Sequence, residues 1–197
     1  EEYQEERKYN NAFGYLSEFT FYRQDFYKTR YVFGFGRTED VPYGINVSIS
    51  AGYIRQLRLE RPYLGFKFDY SMATSKGNFV SLKFQAGAYY RNGNLEDNIL
   101  QGRASYYSRL LQLKRYKMRN YVTAGYTLLD NRTVIDWLNI TRKDIPGFSA
   151  DSLDADKRFS IHVETLLYAP WSLLGFRFAP FAAVDVVGLK CINCENN

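Results

Sequence analysis

Three side chains that could do chemistry lie two residues apart late in the chain. Ser160, His162 and Glu164 alternate with apolar residues, so they share one face of a predicted strand. A serine, a histidine and an acid are the groups of a nucleophilic hydrolase. Neighbours at i and i+2 on a strand are about 7 Å apart, which is too far for a direct serine–histidine hydrogen bond. We therefore predict no enzyme, and a lipid hydrolase remains the less favoured alternative.

The two cysteines, Cys191 and Cys194, are the second group with chemical potential. Without a second pair or a nearby histidine, their spacing is a weak signal for zinc or redox chemistry. A terminal turn that closes a disulfide in an oxidising compartment explains the pair better. We expect no metal and no cofactor.

The elements that carry these groups alternate between apolar and polar residues. In the segment 45–53, Ile, Val, Ile, Ala and Tyr occupy one face, and Asn, Ser, Ser and Gly occupy the other. Side chains alternate across a strand, so the pattern predicts a strand with one apolar and one polar face. Nine such strands are predicted, at about 12–23, 30–37, 45–58, 64–71, 80–88, 99–113, 119–129, 158–168 and 175–189.

Charged residues on the polar faces separate two architectures. Lys67, Asp69, Glu164 and Asp185 would be costly inside a dry sandwich core, whereas a water-filled lumen accommodates them. Strands of 10 or more residues also suit a tilted membrane crossing of about 9–11 residues. We predict an all-β, antiparallel, up-and-down transmembrane β-barrel whose apolar face meets lipid. A soluble sandwich or lipocalin-like barrel is the alternative.

The composition and net charge of the chain agree with a single barrel domain over residues 1–197 in the bacterial outer membrane. Aromatic residues make up 18% of the chain, as expected for strands and membrane girdles. No apolar stretch is long enough for a transmembrane helix. The net charge of +5 comes from basic residues spread singly along strands, so we predict no nucleic-acid partner. The acidic start is unlike a signal peptide, which predicts a mature form or an internal piece.

The connection over residues 131–157 is much longer than the others. Loops of that length within a domain are usually functional or disordered. It contains the tetrad Ile145, Pro146, Gly147 and Phe148. The strand that follows carries Glu164, and the last strand carries Asp185; by parity both carboxylates face the lumen. Two acids in one space favour a positive partner.

These residues resemble the C-terminal barrel of the BamA-like superfamily of outer-membrane insertases and two-partner secretion transporters (bacterial surface antigens). In that family a lid loop carries a (Val/Ile)-Arg-Gly-Phe tetrad, and its arginine pairs with a glutamate and an aspartate on the next two strands. Glu164 and Asp185 occupy those positions here, and Gly147 and Phe148 complete the tetrad. Pro146 replaces the arginine, so Arg142, Lys143 or Arg158 would have to supply the cation.

The resemblance covers about the last 70 residues, and it implies a barrel of roughly sixteen strands, of which this chain holds about nine. It also implies no catalysis and no cofactor. The implied function is insertion or assembly of outer-membrane proteins, or polypeptide translocation, through a seam where client strands pair with an exposed edge. The implied partners are outer-membrane lipid, client polypeptides and periplasmic assembly proteins. A passive pore or structural barrel is the alternative function.

Overall fold

The structure, a computed structural model, describes residues 11–32, 34–56, 58–133, 138 and 155–191. Within those ranges the chain forms strands and turns without a helix, so the expected all-β class is confirmed. The strands are β1 (Phe13–Arg30), β2 (Thr38–Gln56), β3 (Leu59–Ala73), β4 (Phe79–Arg91), β5 (Asn94–Tyr107), β6 (Leu111–Leu113), β7 (Tyr116–Asp130), β8 (Lys157–Tyr168), β9 (Ser172–Leu173), β10 (Phe176–Arg177) and β11 (Phe181–Lys190).

One large sheet contains most of these strands in up-and-down order. Its path is β1-β2-β3-β4-β5-β7-β8-β11, and the short β6 pairs with β7. All of its pairings are antiparallel. Strands β9 and β10 form a separate two-stranded sheet. The expected antiparallel, up-and-down arrangement is therefore confirmed.

The boundaries of the first strands differ from the prediction. Of the predicted strand at 30–37, Arg30 is the last residue of β1, and the other described residues form a loop; Phe33 lies outside the described residues. Residues 38–44, which the prediction left between two strands, are the start of β2. Tyr31 (φ 63°) and Gly36 (φ 74°) adopt left-handed backbone conformations, which an extended strand does not use. The alternation of phenylalanine and glycine therefore imitated a strand. The nine strands of the large sheet are eight long ones and β6.

The connections at the two ends of the sheet have different lengths. At one end, two residues separate β2 from β3 and two separate β4 from β5, where residues 92–93 form a tight turn. At the other end lie the longer connections 31–37, 74–78, 108–115 and 169–180. Asn92 (φ 51°) and Gly93 (φ 86°) have the positive values of a type I′ hairpin turn, as the sequence predicted. The long connection between β7 and β8 leaves from the end with the tight turns.

The two faces of the large sheet have opposite character. Apolar side chains point away from the molecule into open space; Phe19 is 75% exposed, Leu64 60% and Val184 63%. The most deeply buried side chains include polar ones, such as Ser48 and Ser50 at 4% exposure. No large side chain among the described residues is fully buried. The described part of the chain therefore lacks an apolar core.

The polar face curves around a cavity of about 820 Å³ that is lined by residues of β1 to β5, β7 and β8. The sheet does not close: among the described strands, β1 and β11 each have a partner on one side only. The described residues thus form a curved open sheet and no closed barrel.

Candidate functional site

Strand register arranges the polar face in rows that run across the sheet. One row joins Asp69, Lys83, Arg103, Gly125 and Ser160 on five consecutive strands. The next row joins Ser71, Ser81, Ser105, Thr123, His162 and Asp185. Most of these residues line the cavity. The candidate site is this polar concave face.

His162 lies between the two carboxylates that the sequence singled out. Its Nδ1 is 2.7 Å from Asp185 Oδ1, and its Nε2 is 3.6 Å from Glu164 Oε2. A carboxylate only accepts hydrogen bonds, so Nδ1–H donates to Asp185. The structure therefore brings Glu164 and Asp185 together around one group. Sequence reasoning weighed His162 only as a catalytic base and missed this role, although it is on the polar face of the same strand.

The other predicted site residues are less completely placed. Arg158 is on β8 and lines the cavity. Arg142, Lys143 and the tetrad Ile145, Pro146, Gly147 and Phe148 lie outside the described residues. The lid and its anchoring therefore stay predictions.

The Ser160, His162 and Glu164 combination does not form a hydrolase triad. Among the described residues, no hydrogen bond joins Ser160 to His162. Ser160 instead points toward β7, because a Cβ added to Gly125 would lie 2.8 Å from its Oγ. A serine nucleophile needs a base within hydrogen-bond reach, and His162 directs its nitrogens to the two acids.

A second polar cluster joins β1, β2 and β3. Glu18 accepts hydrogen bonds from Ser50 at 2.8 Å and from Lys67 at 3.2 Å. The hydroxyls of Thr20 and Ser48 are 2.8 Å apart. Lys67, which the sequence predicted to face the lumen, is therefore paired with a carboxylate on the polar face. This cluster ties the edge strand β1 to its neighbours.

A third cluster lies at the end of the sheet with the tight turns. Arg61 is 4% exposed, and its Nη1 is 3.0 Å from Glu96 and 2.6 Å from Asp97. Arg91 adds a second cation, 2.9 Å from Glu96. The Arg61 guanidinium also lies over the Tyr89 ring. Sequence reasoning missed this cluster, because its members are about 35 positions apart and only the register brings them together.

The loop between β1 and β2 docks across the polar face onto β7 and β8; we call residues 30–39, with the exception of 33, the docked tip. Three consecutive carbonyl groups of the docked tip accept hydrogen bonds from side chains. The pairs are Arg30 with Arg119 at 3.1 Å, Tyr31 with Tyr168 at 2.9 Å and Val32 with Tyr121 at 3.0 Å. Arg119 is 2% and Tyr168 5% exposed, so two of the three donors are buried.

Further contacts hold the docked tip in place. Glu39 accepts a hydrogen bond from the Val32 amide at 2.8 Å. The rings of Tyr31 and Tyr168 meet edge to face at 4.9 Å, and Lys117 lies over the Tyr31 ring at 4.3 Å. No sequence signal pointed to this contact, since residues 30–37 were predicted as a separate strand.

A glycine in β2 allows the hairpin to turn inward. Gly44 has φ of 144°, and an added Cβ would clash with the Arg23 carbonyl oxygen. Before Gly44 the buried positions of β2 are odd-numbered (Glu39 and Val41), and after it they are even-numbered. The buried face of β2 therefore changes parity at this residue.

The described flanks of the long connection are attached to the sheet. The Asp156 side chain forms an ion pair with Arg132. Its backbone carbonyl accepts a hydrogen bond from the Leu129 amide at 2.8 Å, and its backbone amide donates one to the Lys190 carbonyl at 3.1 Å. Thr133 donates its amide to Asp97 at 2.7 Å. Both flanks are thus held against the ends of β5, β7 and β11.

Other kinds of site find no support in the described residues. Cys191 takes part in a disulfide, in agreement with the interpretation of the cysteines, and Cys194 lies outside the described ranges. No cluster of histidine, cysteine and acidic residues in those ranges has the geometry to hold a metal ion. The same ranges contain no helix that is long and apolar enough to cross a membrane.

Comparisons with known proteins leave the chain without an assigned family. No family model, no curated protein and no solved structure matches it.

Proposed function

We propose that this chain forms the wall of a transmembrane β-barrel in the bacterial outer membrane. One observation carries the proposal: the apolar face of the large sheet points outward and is uncovered. Phe19, Phe66 and Leu82 of three different strands are all exposed there. Soluble monomers rarely expose an apolar patch larger than a few hundred Å². In transmembrane barrels, lipid acyl chains contact such a face.

The dimensions of the sheet support a membrane crossing. Strands β1 to β5 and β7 have 13 to 19 residues, and β8 and β11 have 12 and 10. A tilted strand crosses the hydrocarbon with about 9–11 residues. Each long strand is therefore sufficient for one crossing.

The turn lengths suggest an orientation for the wall. Outer-membrane barrels have short periplasmic turns and longer extracellular loops. The end with the two-residue connections 57–58 and 92–93 would then be periplasmic. The long connection between β7 and β8 shares that end, so it departs from the usual distribution of loop lengths.

Closure of the wall needs strands beyond those described. Lipid does not tolerate open sheet edges, and β1 and β11 are edges in the described part of the chain. Eight long strands are half of the roughly sixteen that the resemblance implies. We propose that further strands pair with these two edges in the complete protein.

Within this class, the resemblance favours a BamA-like role without enzymatic activity or a cofactor. Glu164 and Asp185 match the two family carboxylates in sequence position and lie on either side of His162. An unpaired edge is also what strand addition by a client polypeptide requires. The proposed activity is insertion of outer-membrane proteins or translocation of polypeptides. The cavity of about 820 Å³ supports the alternative, a passive pore.

Lipid-quenching fluorescence tests the proposed membrane wall. Single cysteines carrying a fluorophore are placed at Val163 on the outer face and at Ser105 on the polar face, with both native cysteines replaced by serine. In vesicles of brominated lipid, we expect strong quenching at position 163 and weak quenching at 105, because only the outer face would contact acyl chains. Equal quenching by a water-soluble quencher at both positions would refute the membrane wall.

A client assay separates the two candidate roles. Vesicles containing the complete protein are given an unfolded outer-membrane protein, and its folding is followed by protease protection. The BamA-like role predicts faster folding than in empty vesicles. Ion conductance without any effect on client folding would favour the passive pore.

A further inference from the structure

We propose that the polar face binds an oxyanion of the phosphate class between Lys83 and Arg103. The two residues are direct register partners on β4 and β5, and both line the cavity. The Cβ atoms of such partners are about 4.5–5.5 Å apart. Two cationic side chains therefore share one small region of the concave face.

Neither cation forms an ion pair with a carboxylate in the part of the chain that the structure describes. Among the described residues, no acidic group lies within ion-pair distance of Lys83 or Arg103. Asp69 is the register neighbour of Lys83, yet the two form no ion pair. Like charges directly opposite each other destabilise a sheet. The pair is thus a cost to folding that an anion would relieve.

The other clusters of the polar face show that this arrangement is not general. Lys67 is paired with Glu18, and Arg61 is paired with two carboxylates. Lys157 and Lys190 are also cations in direct register, but neither lines the cavity. Among the described residues that line the cavity, only Lys83 and Arg103 are cations in direct register. This contrast distinguishes a binding site from a face where charges are simply balanced.

Neutral hydrogen-bond donors surround the cation pair. The next row supplies the hydroxyls of Ser81 and Ser105, and Ser105 accepts a hydrogen bond from Thr123 at 3.1 Å. The row on the other side supplies the amides of Gln85 and Gln101, and all of these residues line the cavity. Gly125, the β7 partner of Arg103, has no side chain, and the Ser160 hydroxyl lies over it. Guanidinium and ammonium groups bind phosphate oxygens strongly, and hydroxyls complete their coordination.

The charge of the whole cavity favours an anion. Among the described residues, its lining contains four cationic ones (Arg23, Lys83, Arg103 and Arg158) and one carboxylate (Asp69). A concave surface with an excess of one sign focuses its field on the enclosed space. The proposal concerns the cavity alone and does not depend on membrane insertion, so it goes beyond the proposed function.

Phosphorus-31 NMR tests the site with inorganic phosphate as the probe. The 197-residue chain is studied in maltoside micelles, which contain no phosphate. We expect saturable line broadening, and at least a tenfold loss of affinity in the double variant K83Q/R103Q. The control K76Q changes an exposed lysine in the β3–β4 turn, outside the cavity lining, and should bind like the unmodified chain.

Two further measurements complete the test. Because K83Q/R103Q removes a repulsion, it should keep its strand circular-dichroism spectrum and resist urea at least as well as the unmodified chain. Dihexanoyl phosphatidic acid serves as a second probe, to distinguish a lipid headgroup from free phosphate. Binding of either probe through Lys83 and Arg103 supports the proposal. Absence of saturable binding of both, or equal binding by the folded double variant, overturns it.

Discussion

Several charged side chains of the sheet are held in defined pairs, and their burial decides how much each pair stabilises the protein. Arg61 is buried with Glu96 and Asp97, whereas Arg55 and Glu60 form a pair with side chains 68% and 50% exposed. Exposed pairs contribute about 0–1 kcal/mol because water and salt screen them. Removal of one partner from a buried pair costs about 3–5 kcal/mol, since the remaining charge is left unpaired.

Arg61→Ala is therefore expected to lower the free energy of unfolding by about 3 kcal/mol or more. The substitution removes the buried cation that contacts both Glu96 and Asp97, and it leaves the Arg91–Glu96 pair in place. Urea unfolding followed by tyrosine fluorescence measures the change. Arg55→Ala is the matched control and should change the free energy by less than about 1 kcal/mol. Equal effects of the two substitutions would show that the Arg61 cluster is not buried in solution.

At the scale of the element, the β1–β2 hairpin both forms part of the large sheet and contacts distant strands of that sheet through its loop. Beyond Gly44 it turns inward, and the docked tip reaches strands that are five and six places away in the sheet. Its three carbonyl groups form part-buried hydrogen bonds whose donors are side chains of β7 and β8. A buried unsatisfied carbonyl costs about 1–3 kcal/mol, so the contact is stable only as a complete set.

Tyr121→Phe is expected to loosen the docked tip, because it removes the hydrogen bond to the Val32 carbonyl. The expected cost is about 1–3 kcal/mol for the carbonyl that is left unpaired. Limited trypsin digestion provides the measurement, since Arg30 and Arg37 flank the loop, and cleavage there should become faster.

Tyr126→Phe is the control for this digestion. Tyr126 is on the same strand but on the outer face, 40% exposed, so its loss of a hydroxyl should leave cleavage at the loop unchanged. If Tyr121→Phe also left the cleavage rate unchanged, the tip would not be docked through this bond.

For the whole molecule, the important property is whether lipid or water contacts each face of the large sheet. An outward apolar face and a polar interior reverse the arrangement of a soluble sheet. The described residues contain no fully buried large side chain, so hydrophobic burial within the chain is a minor source of stability. The surrounding lipid would supply that contribution in the proposed barrel.

Phe66→Arg tests this property at the middle of β3, where the side chain is outward and 37% exposed. A charged residue at the bilayer midplane of a barrel costs about 2–4 kcal/mol, so we expect less insertion into lipid vesicles in a flotation assay. Gln101→Arg places the same charge in the cavity lining and should insert normally. Loss of insertion in both variants, or in neither, would contradict the assignment of the two faces.

Local patterns made several features of the fold predictable. A period of two residues is visible along a single strand, so the all-β class, the two faces and the inward direction of Glu164 and Asp185 followed from the sequence. The turn at Asn92 and Gly93 was also predictable, because positive φ at both positions suits these residues. The pattern failed between β1 and β2, where alternating phenylalanine and glycine resembled a strand that the described residues there do not form.

Tertiary structure alone decided which side chains meet. His162 contacts Asp185 from another strand, Arg61 reaches Glu96, and Arg30 is held by Arg119 at a separation of 89 positions. These pairs depend on the register between strands and on the curvature of the sheet, and neither is encoded in the alternation of one segment. A shift of register by a single residue would reverse every side chain of a strand. The alternation therefore determines what each face is made of, and the assembled sheet determines what each residue touches.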